Sequence, residues 1–127
     1  MEKDRLILIV DDDDRNIFAL SAVMRAKGFK IEIAHNGKIG LETLKNNPKI
    51  DLVLMDIMMP VMDGYETIHK IRMDQQYKHI PIIALTAKAM KGDEEKCMKA
   101  GATSYCSKPV DIDELLEKID NCLLKTL

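Results

Sequence analysis

The sequence predicts a doubly wound α/β sandwich around a parallel sheet. Short apolar runs recur at even intervals along the chain. Several are apolar throughout, as strands covered on both faces are. The stretches between them carry apolar residues at three- and four-residue spacing, the mark of helices with one buried face.

The elements follow in order. "LILIV" (Leu6 to Val10) is the first strand. Ile17, Leu20 and Met24 then mark a helix face, closed by Gly28 as a C-terminal cap. "IEIA" (Ile31 to Ala34) and "LVLM" (Leu52 to Met55) are the second and third strands. After Gly64, the residues Tyr65, Ile68 and Ile71 repeat the helical spacing, and "IIAL" (Ile82 to Leu85) is the fourth strand. From Lys91 to Lys99, "KGDEEKCMK" offers only Cys97 and Met98 to a core. That segment reads either as a solvated surface helix or as a loosely held element that moves. "SYC" (Ser104 to Cys106) is a weaker fifth strand. The final helix carries Ile112, Leu115, Leu116, Ile119, Cys122 and Leu123, the cleanest amphipathic pattern in the chain.

Bulk properties narrow the function. At 127 residues the chain is expected to form one domain over its whole length, residues 1–127, large enough to bury a core. A net charge of −2 gives no basic excess for nucleic acid. The apolar runs fall far short of the roughly 20 residues a membrane span needs, and the N-terminus lacks the pattern of a secretory signal. Three cysteines, Cys97, Cys106 and Cys122, share no C-x-x-C spacing, which suits a reducing cytoplasm. There is no G-x-x-x-x-G-K-[ST] or G-x-G-x-x-G, and an EF-hand loop from Asp11 fails at Arg15 and Asn16. His35, His69 and His79 stand apart from any zinc partner. The methionines read as core and loop filling.

The chemistry gathers where strands end. In open parallel sheets the functional crevice lies beyond the carboxyl ends of the strands. Asp11 and Asp12 follow the first strand and Asp56 the third, while Thr86 follows the fourth and Lys108 comes after the fifth. If these strands are neighbours, three acids, a hydroxyl and an ammonium meet at one edge. Carboxylates are the ligands hard Mg²⁺ prefers, and the cation keeps clustered acids ionised. A lysine and a hydroxyl opposite it complete a clamp for a phosphoryl group. Each residue also has a plainer reading. Asp13 and Asp14 suit a helix N-terminus, with Asp14 as the N-cap. Asp11 and Asp12 could belong to it too, Thr86 could be a strand-end residue, and Lys108 a surface lysine. Asp56 is harder to dismiss, because Asp is disfavoured at the end of a buried strand.

The sequence closely resembles the receiver domain of two-component response regulators from about Arg5 to Leu124. The resemblance rests on "LIVDD" (Leu8 to Asp12), "LMDIMMPVMDG" (Leu54 to Gly64), "ALTA" (Ala84 to Ala87) and "SYCSKP" (Ser104 to Pro109), in that order. It implies a flavodoxin-like, five-stranded sheet of order 2-1-3-4-5 with five helices. It implies Asp56 as phospho-acceptor, taking a phosphoryl group from a histidine of a sensor kinase or a phosphotransfer protein. Asp11 and Asp12, with Asp56 and the backbone carbonyl of Met58, would hold Mg²⁺. Thr86 resembles the switch hydroxyl, Tyr105 the switch aromatic and Lys108 the lysine that pairs with the phosphoryl group, before a cis bond to Pro109. Pro60 and Gly64 would shape the loop that keeps Asp56 exposed. Met58 and Lys88 stand where side chains crowd the hydrolytic water and so set the phosphoryl lifetime.

The resemblance further implies a switch whose helix 4, strand 5 and helix 5 face controls a downstream effector protein or domain. It is expected to be monomeric, to insert in no membrane and to contact no nucleic acid directly. Its only catalysis would be its own phosphorylation and slow dephosphorylation. "LTAKAMKGDEEKCMKAG" (Leu85 to Gly101) is most similar to receivers of hybrid kinases and of stand-alone regulators, and the short lead from Met1 favours an N-terminal or stand-alone receiver. Two rival functions remain in view. An aspartate-nucleophile phosphatase for small molecules generally needs an acid two residues after its nucleophile, where Met58 stands. A docking module that is never phosphorylated would have no need of the full set Asp11, Asp12, Asp56, Thr86 and Lys108.

Overall fold

A computed structural model describes residues 4–87 and 92–124. Five strands, β1 (Leu6–Val10), β2 (Lys30–Ala34), β3 (Leu52–Asp56), β4 (Ile82–Thr86) and β5 (Ser104–Ser107), alternate with five helices. These are α1 (Asp14–Ala26), α2 (Gly37–Asn46), α3 (Gly64–Met73), α4 (Asp93–Ala100) and α5 (Ile112–Leu124). All strand pairs are parallel and the order is β2-β1-β3-β4-β5.

Strand periodicity of two sorts the core into two layers. Leu8, Val10, Val53, Met55, Ile82 and Ala84 face one side, where they meet Leu44 of α2, Ile68 and Ile71 of α3 and Cys97 of α4. Ile7, Ile9, Leu52, Leu54, Ile83 and Leu85 face the other, against Ile17, Leu20 and Met24 of α1 and Leu115 and Ile119 of α5. Both faces of β1, β3 and β4 are therefore covered, which is why these strands are apolar without alternation. Each fully buried Leu or Ile contributes about 1.5–3 kcal/mol relative to exposure.

The ends of α1 differ in one detail from the expectation. Its N-cap is Asp13, whose carboxylate accepts the Arg15 N–H at 2.9 Å, and Asp14 is already the first helical residue. In a run of four acids, backbone phase alone selects the cap, and the residue with extended φ and ψ wins. Gly28 does close the helix, at φ 98°. Its N–H donates to the Arg25 carbonyl and that of Phe29 to Met24, and Phe29 and Met24 are buried together.

α4 begins at Asp93 and only Cys97 is fully buried in it. Lys91 lies outside the described residues. Gly92 at φ 108° supplies the N-cap position with no side-chain hydrogen bond. Among the described residues no helix is long and apolar enough to cross a membrane.

Candidate functional site

The sheet order reverses direction between β1 and β3, and the site stands at that switch point. β1 runs into Asp11 and Asp12, and β3 ends on Asp56 itself. β4 ends on Thr86, and β5 leads to Lys108. Asp56 is in register with Leu85, and Thr86 with Ser107, so neighbouring strand ends set the Asp56 carboxylate, the Thr86 hydroxyl and the lysine side by side.

Carboxylate oxygens of Asp11, Asp12 and Asp56 all lie within 4.8 Å of one another. Lys108 Nζ donates to Asp56 Oδ1 at 2.8 Å. The Lys108 backbone N–H donates to the Thr86 carbonyl at 2.6 Å, and the Lys108–Pro109 peptide is cis. Asp56 is not exposed, contrary to the expectation from its loop: it is only 2% accessible, and Asp11 (0%) and Thr86 (3%) are equally enclosed. The loop positions Asp56 while its neighbours cover it. Beside Asp11 and Lys108 opens a cleft of about 340 Å³ with mostly apolar walls, among them Leu20, Val23, Val110 and Ile112.

Two buried oxygens here have no hydrogen-bond partner, Asp11 Oδ2 and Thr86 Oγ1. A buried, unpaired polar atom costs about 1–3 kcal/mol, so both are suited to an incoming group. Asp11 Oδ1, by contrast, accepts the Asp13 N–H at 2.9 Å. Three clustered carboxylates with one orphan oxygen fit a hard divalent cation such as Mg²⁺ better than a softer metal.

Burial is the main reason the Asp11 carboxyl is pushed up to about 6, and the neighbouring Asp56 adds to it. Between its ordinary value of 3.8 and about 6, the folded metal-free protein holds a proton that the unfolded chain has released. Stability from this group is fully present below the lower value and is lost as pH rises through the upper one. The loss is on the order of 1–3 kcal/mol. Urea unfolding of the metal-free protein should show this downward slope, and Asp11→Asn should lack it. Mg²⁺ affinity should run the other way, falling about tenfold from pH 7 to pH 5 as the proton competes with the cation.

The loop after Asp56 depends on a glycine for space. A Cβ on Gly64 would stand 2.5 Å from the Asp56 carbonyl oxygen and 2.6 Å from Ile57 Cα, and the Gly64 N–H donates to the Ile57 carbonyl at 2.9 Å. Asp63 caps α3 by accepting the Glu66 N–H at 2.9 Å. Gly64→Ala should therefore cost about 1–3 kcal/mol of stability, as urea unfolding would show. Val61 in the same loop has φ 69°, a left-handed conformation that costs an L residue about 1–2 kcal/mol.

The remaining expected residues are placed unevenly. Met58 is 69% exposed, and Lys88 lies outside the described residues. Tyr105 sits in β5, half-buried, in register with Ala84. Burial, then the nearby Glu94 carboxylate, holds the Tyr105 phenol above its usual range. Lys118 of α5 lies over the Tyr105 ring, 4.9 Å from its centre, and donates to the Tyr105 carbonyl. Neither Glu94 nor Lys118 was identifiable as a partner of Tyr105 beforehand, because nothing in their local pattern signals a contact to β5.

Known proteins match this arrangement. The family described as the response regulator receiver domain matches residues 7–120. The polar-differentiation response regulator DivK of Brucella anthropi is 35% identical over 117 residues, 92% of this chain and 94% of that protein. A probable cyclic di-GMP phosphodiesterase of Vibrio cholerae is 44% identical over 113 residues, 89% of this chain but 25% of that protein, so the chain spans only a part of this longer relative. The receiver domain of a sensor histidine kinase from Pseudomonas aeruginosa PAO1, solved with a magnesium ion coordinated in the active site cleft, superposes with a TM-score of 0.87. It is 32% identical, covering 94% of this chain and 98% of that one. By its motif order, its 2-1-3-4-5 sheet and this match over most of its length, the chain belongs to the response regulator receiver family, the phospho-accepting switches of two-component signalling.

Proposed function

We propose that Asp56 is the phospho-acceptor of this switch. The observation that carries the reading is the convergence of Asp11, Asp12, Asp56, Thr86 and Lys108 at one sheet edge, with Lys108 2.8 Å from Asp56 and two buried oxygens unpaired. Asp11, Asp12 and Asp56, with the backbone carbonyl of Met58, are the residues that would hold Mg²⁺. When bound, the cation supplies charge neutralisation for the transferring phosphoryl group.

The donor is a phosphohistidine of a sensor kinase or phosphotransfer protein. An Asp56 carboxylate oxygen attacks phosphorus, the P–O bond forms as the P–N bond breaks, and the electron pair leaves with the imidazole. Lys108 then turns from the Asp56 carboxylate to a phosphoryl oxygen, and the Thr86 hydroxyl donates to another. Thr86 moves towards the site, Tyr105 follows into the space it vacates, and the face formed by α4, β5 and α5 changes for a downstream effector protein or domain.

Met58 offers hydrolytic water no proton acceptor, and a lysine side chain such as that of Lys88 supplies no base while protonated, so self-dephosphorylation is slow. The chain works as one domain over 1–127, monomeric and cytoplasmic, and its only catalysis is on itself.

The test is stoichiometry. The protein is incubated with Mg²⁺ and acetyl phosphate while intact mass and released phosphate are followed. A switch takes up one phosphoryl group per chain and clears it slowly. Sustained phosphate release over many turnovers would point to a small-molecule phosphatase, and no uptake to a docking module.

A further inference from the structure

The two ends of α4 are held unequally. At its C-terminal end Gly101 adopts φ 117°, and its carbonyl accepts Arg72 Nε at 2.7 Å. One terminal nitrogen of Arg72 donates to the Ile80 carbonyl at 2.7 Å and to that of Lys78 at 3.2 Å. The other donates to Thr103 Oγ1 at 3.2 Å. The same Thr103 hydroxyl accepts the Ile82 N–H at 3.0 Å, and the Thr103 N–H donates to the Ile82 carbonyl at 2.7 Å. One planar, permanently charged fork thus ties the last turn of α3, the loop before β4 and the turn between α4 and β5. The fit is close, since a Cβ on Gly101 would stand 2.6 Å from Arg72 Cγ.

Among the described residues the other end has no such anchor: no side chain caps α4 at Gly92, and none of their atoms lies within 4 Å of where a Cβ there would be. The first turn holds Asp93, Glu94 and Glu95, and the Glu94 carboxylate helps to hold the Tyr105 phenol up. One turn on, Cys97 is buried against Tyr65, and Lys96 covers the Tyr65 ring at 5.7 Å.

We infer that Arg72 is the pivot of the switch: it fixes the C-terminal end of α4 and the start of β5, so that movement of Tyr105 swings the first turn of α4 about Gly101. This rests on the reading of Asp56 as phospho-acceptor. Arg72 touches neither the reacting atoms nor Tyr105, and it acts as a positioning residue. Its four bonds keep the displacement from spreading into the turn that leads to β5.

The experiment is backbone-amide NMR on the full chain, comparing the parent with Arg72→Met and with Thr103→Val, which removes one acceptor and leaves the guanidinium. Without ligand, Arg72→Met should speed hydrogen exchange at Gly101, Ala102 and Thr103 on the order of tenfold relative to β1 amides. With Mg²⁺ and beryllofluoride, parent shifts should be largest at Asp93 and Glu94 and fade towards Gly101. That gradient should flatten in Arg72→Met and weaken in Thr103→Val, which carries the test should Arg72→Met fail to fold. An unchanged gradient in the variants, or parent shifts as large at Gly101 as at Glu94, would overturn the pivot. If beryllofluoride moved no amide of the parent, the Asp56 reading would fall; the ligand-free exchange arm would still decide whether Arg72 pins this end, and unchanged exchange there would overturn the pivot as well.

Discussion

Asp56→Asn is expected to fold as the parent does and to lose labelling by acetyl phosphate at least about 10³-fold, a barrier increase of about 4 kcal/mol. The amide oxygen is a poor nucleophile, yet it can still accept the Lys108 ammonium that Asp56 Oδ1 accepts at 2.8 Å. The fold should therefore keep its polar contact while the chemistry disappears. Asp11 should respond too, because Asp56 is one of the groups that push its carboxyl up. With that charge removed, the acid-range slope in stability should shrink. Mg²⁺ binding should weaken through the loss of one anionic ligand. Mass spectrometry of the labelled protein and a pH series of urea unfolding check the two halves separately. Parent-like labelling of this variant would mean that another residue accepts the phosphoryl group.

Lys108→Ala should accept the phosphoryl group and fail to pass the signal on. The ammonium is the only cation found bonded to the Asp56 carboxylate among the described residues. Without it, nothing draws the phosphoryl group towards β5, and the change at Tyr105 should be largely lost. Metal binding should respond with a pH-dependent sign. Removing a nearby cation favours Mg²⁺, by about threefold to tenfold for a charge at this range in a high-dielectric setting. Lys108 also lowers the Asp11 carboxyl, so its loss leaves Asp11 holding a proton to higher pH. Tighter Mg²⁺ binding should therefore be clear at pH 8 and fade by pH 6, as titration at the two values would show. Equal affinity in parent and variant at pH 8 would place Lys108 outside the field of the metal site.

The strands were legible because burial on both faces leaves no other reading for runs such as Leu52 to Met55. Their ends were less so. Asp56 and Thr86 complete β3 and β4 because their backbones pair with Leu85 and Ser107, and ladder partners far along the chain carry no local signal. α2 had no residues assigned to it. Its buried face is Gly37, Gly40 and Leu44 with Leu41 partly buried, while Ile39 is exposed, so glycines take the place of an apolar stripe; a Cβ on Gly40 would stand 3.1 Å from a Val10 methyl. The site was legible as a set of strand-end residues, since the sheet order brings them together. Its enclosure was not, because Asp56 is covered by residues distant in sequence, such as Lys108, whose Nζ lies 2.8 Å away. Arg72 was invisible for a related reason: three of its four acceptors are backbone carbonyls, and any residue type supplies those.

In the proposed switch the acidic pocket and the Tyr105 face are two ends of one device. The most direct measurement is an NMR titration of the parent protein with beryllofluoride at saturating Mg²⁺, following the backbone amides of Ile57 and Tyr105 together. The two should move with one midpoint and to the same fractional extent, as populations of a two-state equilibrium must. An Ile57 amide that titrates to completion while Tyr105 stays in place would contradict the account.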